Sequence, residues 1–132
     1  MTALDRALAE QPGAVALAIA RSRMLIGLLA LLGTRRLLRR ALRQPLVPSD
    51  EAVAALRMVA SRDVALGLGA ELAARRGPQA LRGWVEAGGL VDATDVVALG
   101  GARTLRPVAR WGGVLLAAVG AVLSNQAARN LT

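Results

Sequence analysis

The sequence predicts an all-α fold: a four-helix transmembrane bundle with a short amphipathic N-terminal segment, forming one integral membrane domain over residues 1–132. Three observations carry this. Hydrophobic residues make up 55% of the chain and mean hydropathy is +0.45, above an ordinary soluble domain. The apolar mass is Ala, Leu, Val and Gly, with aromatics at 2% and no Phe or Tyr. A water-soluble core usually takes much of its buried area from large rings, whereas small side chains suit helices that approach closely in lipid. The net charge of +8 comes from arginine alone, as the chain has no lysine, and the arginines gather at the ends of apolar runs. That is the pattern of membrane flanks.

Residues 1–13, MTALDRALAEQPG, place Leu4, Ala7 and Leu8 on one helical face with Asp5, Arg6 and Glu10 around the rest, which predicts a short interfacial helix ending near Pro12. Asp5 and Glu10 stand where a secretory signal needs a basic region, so this stretch is a poor signal peptide. Residues 14–33 are long enough to cross about 30 Å of hydrocarbon at about 1.5 Å per residue. Arg21 and Arg23 interrupt this run. Arg23 shares a face with Gly27, Ala30 and Thr34, small residues that mark a helix contact, so Arg23 is expected to point inward.

Residues 34–44, TRRLLRRALRQ, form a basic amphipathic segment with Leu37, Leu38, Ala41 and Leu42 as its stripe; such a segment is expected to lie on an anionic membrane surface. Pro45 and Pro48 break it, and Ser49 or Asp50 can cap the next helix. The second and third spans, 52–74 and 80–100, are joined by Arg75-Arg76-Gly77-Pro78, short enough to make them antiparallel neighbours. The last span, 108–128, carries a ridge of Gly113, Ala117 and Ala121. Trp84 and Trp111 sit near the starts of the third and fourth spans, on opposite faces of the membrane. Counting arginines in the connections puts eight (35, 36, 39, 40, 43, 103, 106 and 110) on one side and five (6, 75, 76, 82 and 129) on the other. The expected topology therefore has both termini outside a multipass plasma-membrane protein, with the first and third loops cytoplasmic.

The chemistry of the chain concentrates inside the second and third spans, which carry Arg62 and Asp63, and Asp92 and Asp95. Charges within an apolar run face each other, a cavity or a partner. Asp92 and Asp95 project from one face of their helix, with Gly88 a turn before and Leu99 a turn after. Counted from the shared turn at Gly77–Pro78, Asp63 and Asp92 lie at the same depth, which predicts Arg62 facing Asp92 or Asp95 across the helix pair. Arg23 and Arg62 stand against Asp63, Asp92 and Asp95, one carboxylate in excess, and two close carboxylates in low dielectric seldom both ionise. A protonatable Asp beside a fixed Arg can act as general acid or base or as a proton relay; the plainer alternative is a structural clamp that sets helix register. Gly67, Gly69, Gly88 and Gly89 can shape a pocket beside these charges or simply permit close helix approach.

Absent residue types narrow the chemistry. Without Cys there is no thiolate or disulfide, without His no imidazole base, and without Lys no Schiff base; no metal or cofactor is expected. Ser61 and Ser124 lack a His or Lys to activate them, and Gly67-Leu68-Gly69 is not a phosphate loop. The basic charge lacks the aromatic platforms of a nucleic-acid surface, so no nucleic-acid partner is expected.

The run 57–69, RMVASRDVALGLG, followed by Trp84 and by Gly89-Leu90-Val91-Asp92-Ala93-Thr94-Asp95, resembles the small actinobacterial multipass membrane proteins of the DUF4267 type, a family of unknown function. The first span is loosely similar at Arg23-Met24-Leu25-Ile26-Gly27, and the last only in hydrophobicity. The resemblance implies four helices and a polar Arg/Asp centre, and no activity.

The residues thus support a membrane module in which the Arg/Asp cluster orders the bundle or binds a small polar headgroup, a lipid-like ligand, a membrane protein or a second copy. Two alternatives are an intramembrane cyclase or hydrolase and a proton- or cation-coupled carrier. In the enzyme, Asp92 or Asp95 would be the acid/base, with Arg62 and Asp63 beside it. Arg23, Gly67, Gly88 and Gly89 are the binding candidates. A soluble helical bundle with an unusually apolar surface is the remaining reading.

Overall fold

A computed structural model of the chain describes Ala3, Arg6 and residues 10–43 and 47–131. The amphipathic N-terminal segment, which rests on Leu4, Asp5, Ala7 and Leu8, lies outside the described residues, as does Pro45. Four helices account for nearly all the rest: α1 (Pro12–Ala41), α2 (Asp50–Ala74), α3 (Pro78–Gly101) and α4 (Pro107–Arg129). Among the described residues there is no strand, only an isolated antiparallel bridge between Leu42 and Leu105.

Local chemistry explains the boundaries. α1, α3 and α4 each begin with Pro at the first helical position, where the missing N–H has no partner to lose. α2 begins on Ser49, whose hydroxyl accepts from the Ala52 N–H at 3.2 Å; such a cap contributes about 1 kcal/mol. The α2–α3 turn passes through Gly77 at φ 117°, a left-handed conformation that costs glycine nothing.

Consecutive helices run antiparallel. Arg21 meets Glu71 and Arg35 meets Asp50 along α1–α2; Arg62 meets Asp95 and Gly69 meets Trp84 along α2–α3; Gly89 lies on Ser124 and Gly113 on Leu99 along α3–α4. The closest packing is within the α1–α2 and α3–α4 hairpins, which then meet through α2 with α3 and α1 with α4. The observed helices bracket the expected runs to within two residues at seven of eight ends. The exception is the C-terminal end of α1. Residues 34–41 do not peel away as a separate surface segment but continue α1 for 30 residues, about 45 Å. Gly33 weakens a helix interior by only about 1 kcal/mol. The buried Thr34 hydroxyl donates within α1 to Ala30 and Leu31, and Leu38 packs inward.

That end of α1 is tied to the α3–α4 turn by reciprocal arginine contacts. Arg43 Nε donates to the Leu105 carbonyl and Arg106 Nε to the Leu42 carbonyl, both at 3.1 Å; the Arg106 backbone N–H donates to Ala41 at 2.8 Å. Trp84 and Trp111 fall at opposite ends of the bundle. Arg110 sits 4.9 Å over the Trp111 ring, a cation–π arrangement. Trp84 has a packing role too, its ring lying flat over Gly69 where any Cβ would collide. Gly69→Ala is therefore expected to destabilise by about 1–2 kcal/mol, and to cost little in a Trp84→Leu background. A double-mutant cycle on thermal unfolding reads that coupling.

The interior is small and the exterior large. Buried positions are mostly Ala with a few Val and Leu, and the largest side chain that is fully buried is Ser124. Leu32 and Val108 are each 87% exposed, with Leu29, Leu90, Leu115, Leu116 and Val97 also facing out. α1 and α4 are long and apolar enough to cross a membrane, with windows of mean hydropathy 1.9 and 1.5 of which only 17% and 11% is buried. The chain exposes 8384 Å², against about 6,600 Å² for a compact soluble monomer of its mass.

Candidate functional site

Five charged residues of the helix interiors, Arg23, Arg62, Asp63, Asp92 and Asp95, form one connected network. Arg23 of α1 reaches inward, as its face with the buried Gly27 and Thr34 predicts, and its side chain is 11% exposed. Its Nη1 donates to Asp63 Oδ1 of α2 at 3.2 Å, and its Nη2 donates to Asp92 Oδ2 of α3 and to the Gly88 carbonyl at 3.3 Å. Arg62 of α2 grips Asp95 of α3 as a two-pronged pair, at 3.2 and 2.7 Å, and lies 3.5 Å from Asp63. In sequence the contacts read Asp92–Arg23–Asp63–Arg62–Asp95, and because Asp92 and Asp95 stand one turn apart on α3 the chain of charges closes into a ring. Three helices are thereby fixed in register.

The depth match between Asp63 and Asp92 is real, and its cause is Arg23, which both carboxylates share. Of the two partners open to Arg62, the structure selects Asp95. Asp92 belongs instead to α1, a diagonal contact across the bundle that counting residues from the α2–α3 turn does not reveal. Arg21, two residues away on the opposite face of α1, faces outward to Glu71.

Glycines decide how near the helices come. A Cβ on Gly27 would lie 2.7 Å from the Ala60 carbonyl oxygen, and one on Gly67 2.6 Å from that of Ala20. The two contacts are reciprocal: Ala20, Arg23 and Gly27 on α1 have the same spacing as Ala60, Asp63 and Gly67 on α2, so Arg23 meets Asp63 midway between the two crossings. This repeated Ala-x-x-charge-x-x-x-Gly pattern was readable in the sequence. Gly89 admits Ser124 of α4, and Gly88 offers its carbonyl to Arg23. Gly67 and Gly89 therefore serve helix contact rather than a pocket.

The pocket that reaches these charges lies elsewhere. A cleft of about 280 Å³ runs between the middles of α1 and α4. Its floor is Arg23, Asp63, Asp92 and Asp95; Ile26, Leu116 and Val119, all partly exposed, flank its mouth. Gly113 and Gly120, two turns apart on α4, make room for it, and a Cβ on Gly120 would stand 2.5 Å from Asp92 Oδ2. Gly120 is a site residue that the ridge of Gly113, Ala117 and Ala121 only hinted at. Below the cleft, toward the α2–α3 turn, the bundle is closed by Ala16, Ala20, Ala70, Leu81, Val85, Ala127, Ala128 and Leu131.

No family model, curated protein or solved structure matches the chain. What the site can do is read from its own geometry.

Proposed function

We propose that the chain is a four-span integral membrane protein whose Arg/Asp ring orders the helices and floors a lateral cleft for a small polar headgroup. The observation that carries this is the reversed distribution of side chains, with large apolar groups outside, small and charged groups inside, and a charged floor opening sideways between α1 and α4. Lipid solvates such an exterior, and intramembrane charges that face one another or a cavity mark functional positions. Eight arginines at the end holding the α1–α2 and α3–α4 connections, against Arg75, Arg76, Arg82 and Arg129 at the other, support that end as cytoplasmic. Membership of the DUF4267-type family is part of the same proposal, resting on residues 57–69 and 89–95.

The carrier reading draws little support, because an apolar plug closes the bundle between the cleft and the α2–α3 turn. The enzyme reading is weakened by Asp95, whose two oxygens are both taken by Arg62.

Two readouts test the proposal. The protein is expected to stay with membranes through alkaline carbonate extraction, and single cysteines at Arg103 and Arg76, introduced into a chain that has none, should label from opposite sides. Release by carbonate, or labelling from one side, would remove the four-span setting. The mild-detergent preparation should carry a small amphiphile by native mass spectrometry, and Leu116→Trp at the mouth should displace it; retention by that variant counts against the cleft.

A further inference from the structure

The cleft floor discriminates among headgroups, and its chemistry names a class. Resting on the headgroup reading above, we propose that the occupant is a single-chain amphiphile with a protonated primary-amine head, entering sideways between α1 and α4. The argument begins with charge. Three carboxylates and one guanidinium line the cleft, while Arg62, the second cation of the ring, does not. Arg62 offsets the Asp95 that it grips, so with its three carboxylates ionised the ring carries one net negative charge, which attracts a cation and repels a phosphate or carboxylate head.

Hydrogen bonding points the same way. Asp63 Oδ2 and Asp92 Oδ1 receive no hydrogen bond from the described residues, the ring using only Asp63 Oδ1 and Asp92 Oδ2. Neither free oxygen is sealed off, since the buried side-chain atoms without a partner are Arg62 Nε and Arg110 Nε. Two accessible anionic acceptors suit the three N–H donors of a primary ammonium. A trimethylammonium head has no N–H to give, and the aromatic faces that would hold it are absent from the lining.

Shape fixes the tail. At roughly 30 Å³ for a water-sized group, the cleft holds about nine such groups, enough for a head and the first part of one chain. Ile19, Ile26, Leu116, Val119 and Leu123 provide apolar walls, and the open mouth lets the rest of the chain continue into hydrocarbon.

The test uses the full chain in a nonionic detergent with four probes of equal tail: dodecylamine, dodecyltrimethylammonium, dodecanol and dodecyl phosphate. An alkylamine is a cation at neutral pH, as lysine is. Dodecylamine is expected to bind in one-to-one ratio, about tenfold or more tighter than the trimethyl and neutral probes, the difference that one charge-assisted hydrogen bond makes. It should also raise the unfolding temperature. Leu116→Trp, at an exposed position whose change leaves the ring intact, should lower that affinity by about tenfold or more if the mouth is the entrance. Equal or tighter binding of dodecanol or dodecyl phosphate, still blocked by Leu116→Trp, overturns the amine head and leaves the headgroup cleft standing. Binding of all four that ignores Leu116→Trp is micelle partitioning, and it overturns both.

Discussion

Replacing Arg23 by methionine is expected to lower the unfolding free energy by about 3–5 kcal/mol, the usual cost of removing one partner from a buried ion pair. Among the described residues Arg23 alone joins α1 to both α2 and α3 through charge, and its loss leaves Asp92 buried without its cation. Asp63 keeps Arg62 at 3.5 Å, so the damage concentrates on Asp92. The double variant Arg23→Met/Asp92→Leu should therefore recover most of the stability, because exchanging a whole buried pair for apolar groups of similar volume is often neutral or better. Reversible unfolding in mixed micelles measures both. Arg21→Met, two residues away on the outward face, is the control and should change little, since exposed pairs contribute little. A loss no greater for Arg23→Met than for Arg21→Met would mean that water or lipid headgroups already satisfy Asp92 and that the ring does not hold the bundle.

How much of this arrangement the sequence displays depends on how local its cause is. Helix limits are local: proline at the first position, Ser49 as cap and Gly77 in the turn are each visible to inspection, and the observed ends follow them. The inward face of Arg23 was equally legible, because Gly27, Ala30 and Thr34 recur at helical spacing beside it. The continuation of α1 through residues 34–41 was not. An amphipathic stripe with arginines suits a membrane surface and a docked helix end alike, and what decides between them is the distant α3–α4 turn, through Arg43, Leu105 and Arg106. The partner of Asp92 was hidden for the same reason, since α1 and α3 share no turn from which to count. The cleft is the least local feature of all. It exists because α1 and α4 are held apart while their neighbours pack closely, a difference carried by Gly113 and Gly120 facing Leu99 and Asp92.

The α1–α2 crossing supplies the second large effect. Gly67→Ala is expected to cost about 3 kcal/mol, at the upper end of overpacking penalties, and Gly27→Ala nearly as much. In each case the atom that a new Cβ would strike is a backbone carbonyl oxygen, of Ala20 or Ala60, which cannot rotate away as a side chain can. The helices would have to part, and Arg23 and Asp63, midway between the two contacts, would part with them. Opening that hydrogen bond, now 3.2 Å long, exposes the ring to the medium. A readout specific to the ring follows: Gly67→Ala should weaken headgroup retention in the cleft although Gly67 does not line it, whereas an effect of simple instability would vanish once the variant is assayed well below its unfolding temperature. Gly83→Ala and Gly112→Ala serve as controls. A Cβ at either meets nothing within 4 Å, and alanine in an unobstructed helix interior gains up to about 1 kcal/mol over glycine. If all four variants behave alike, close approach at the small residues is not what brings Arg23 to its carboxylates, and the ring alone must draw the helices together.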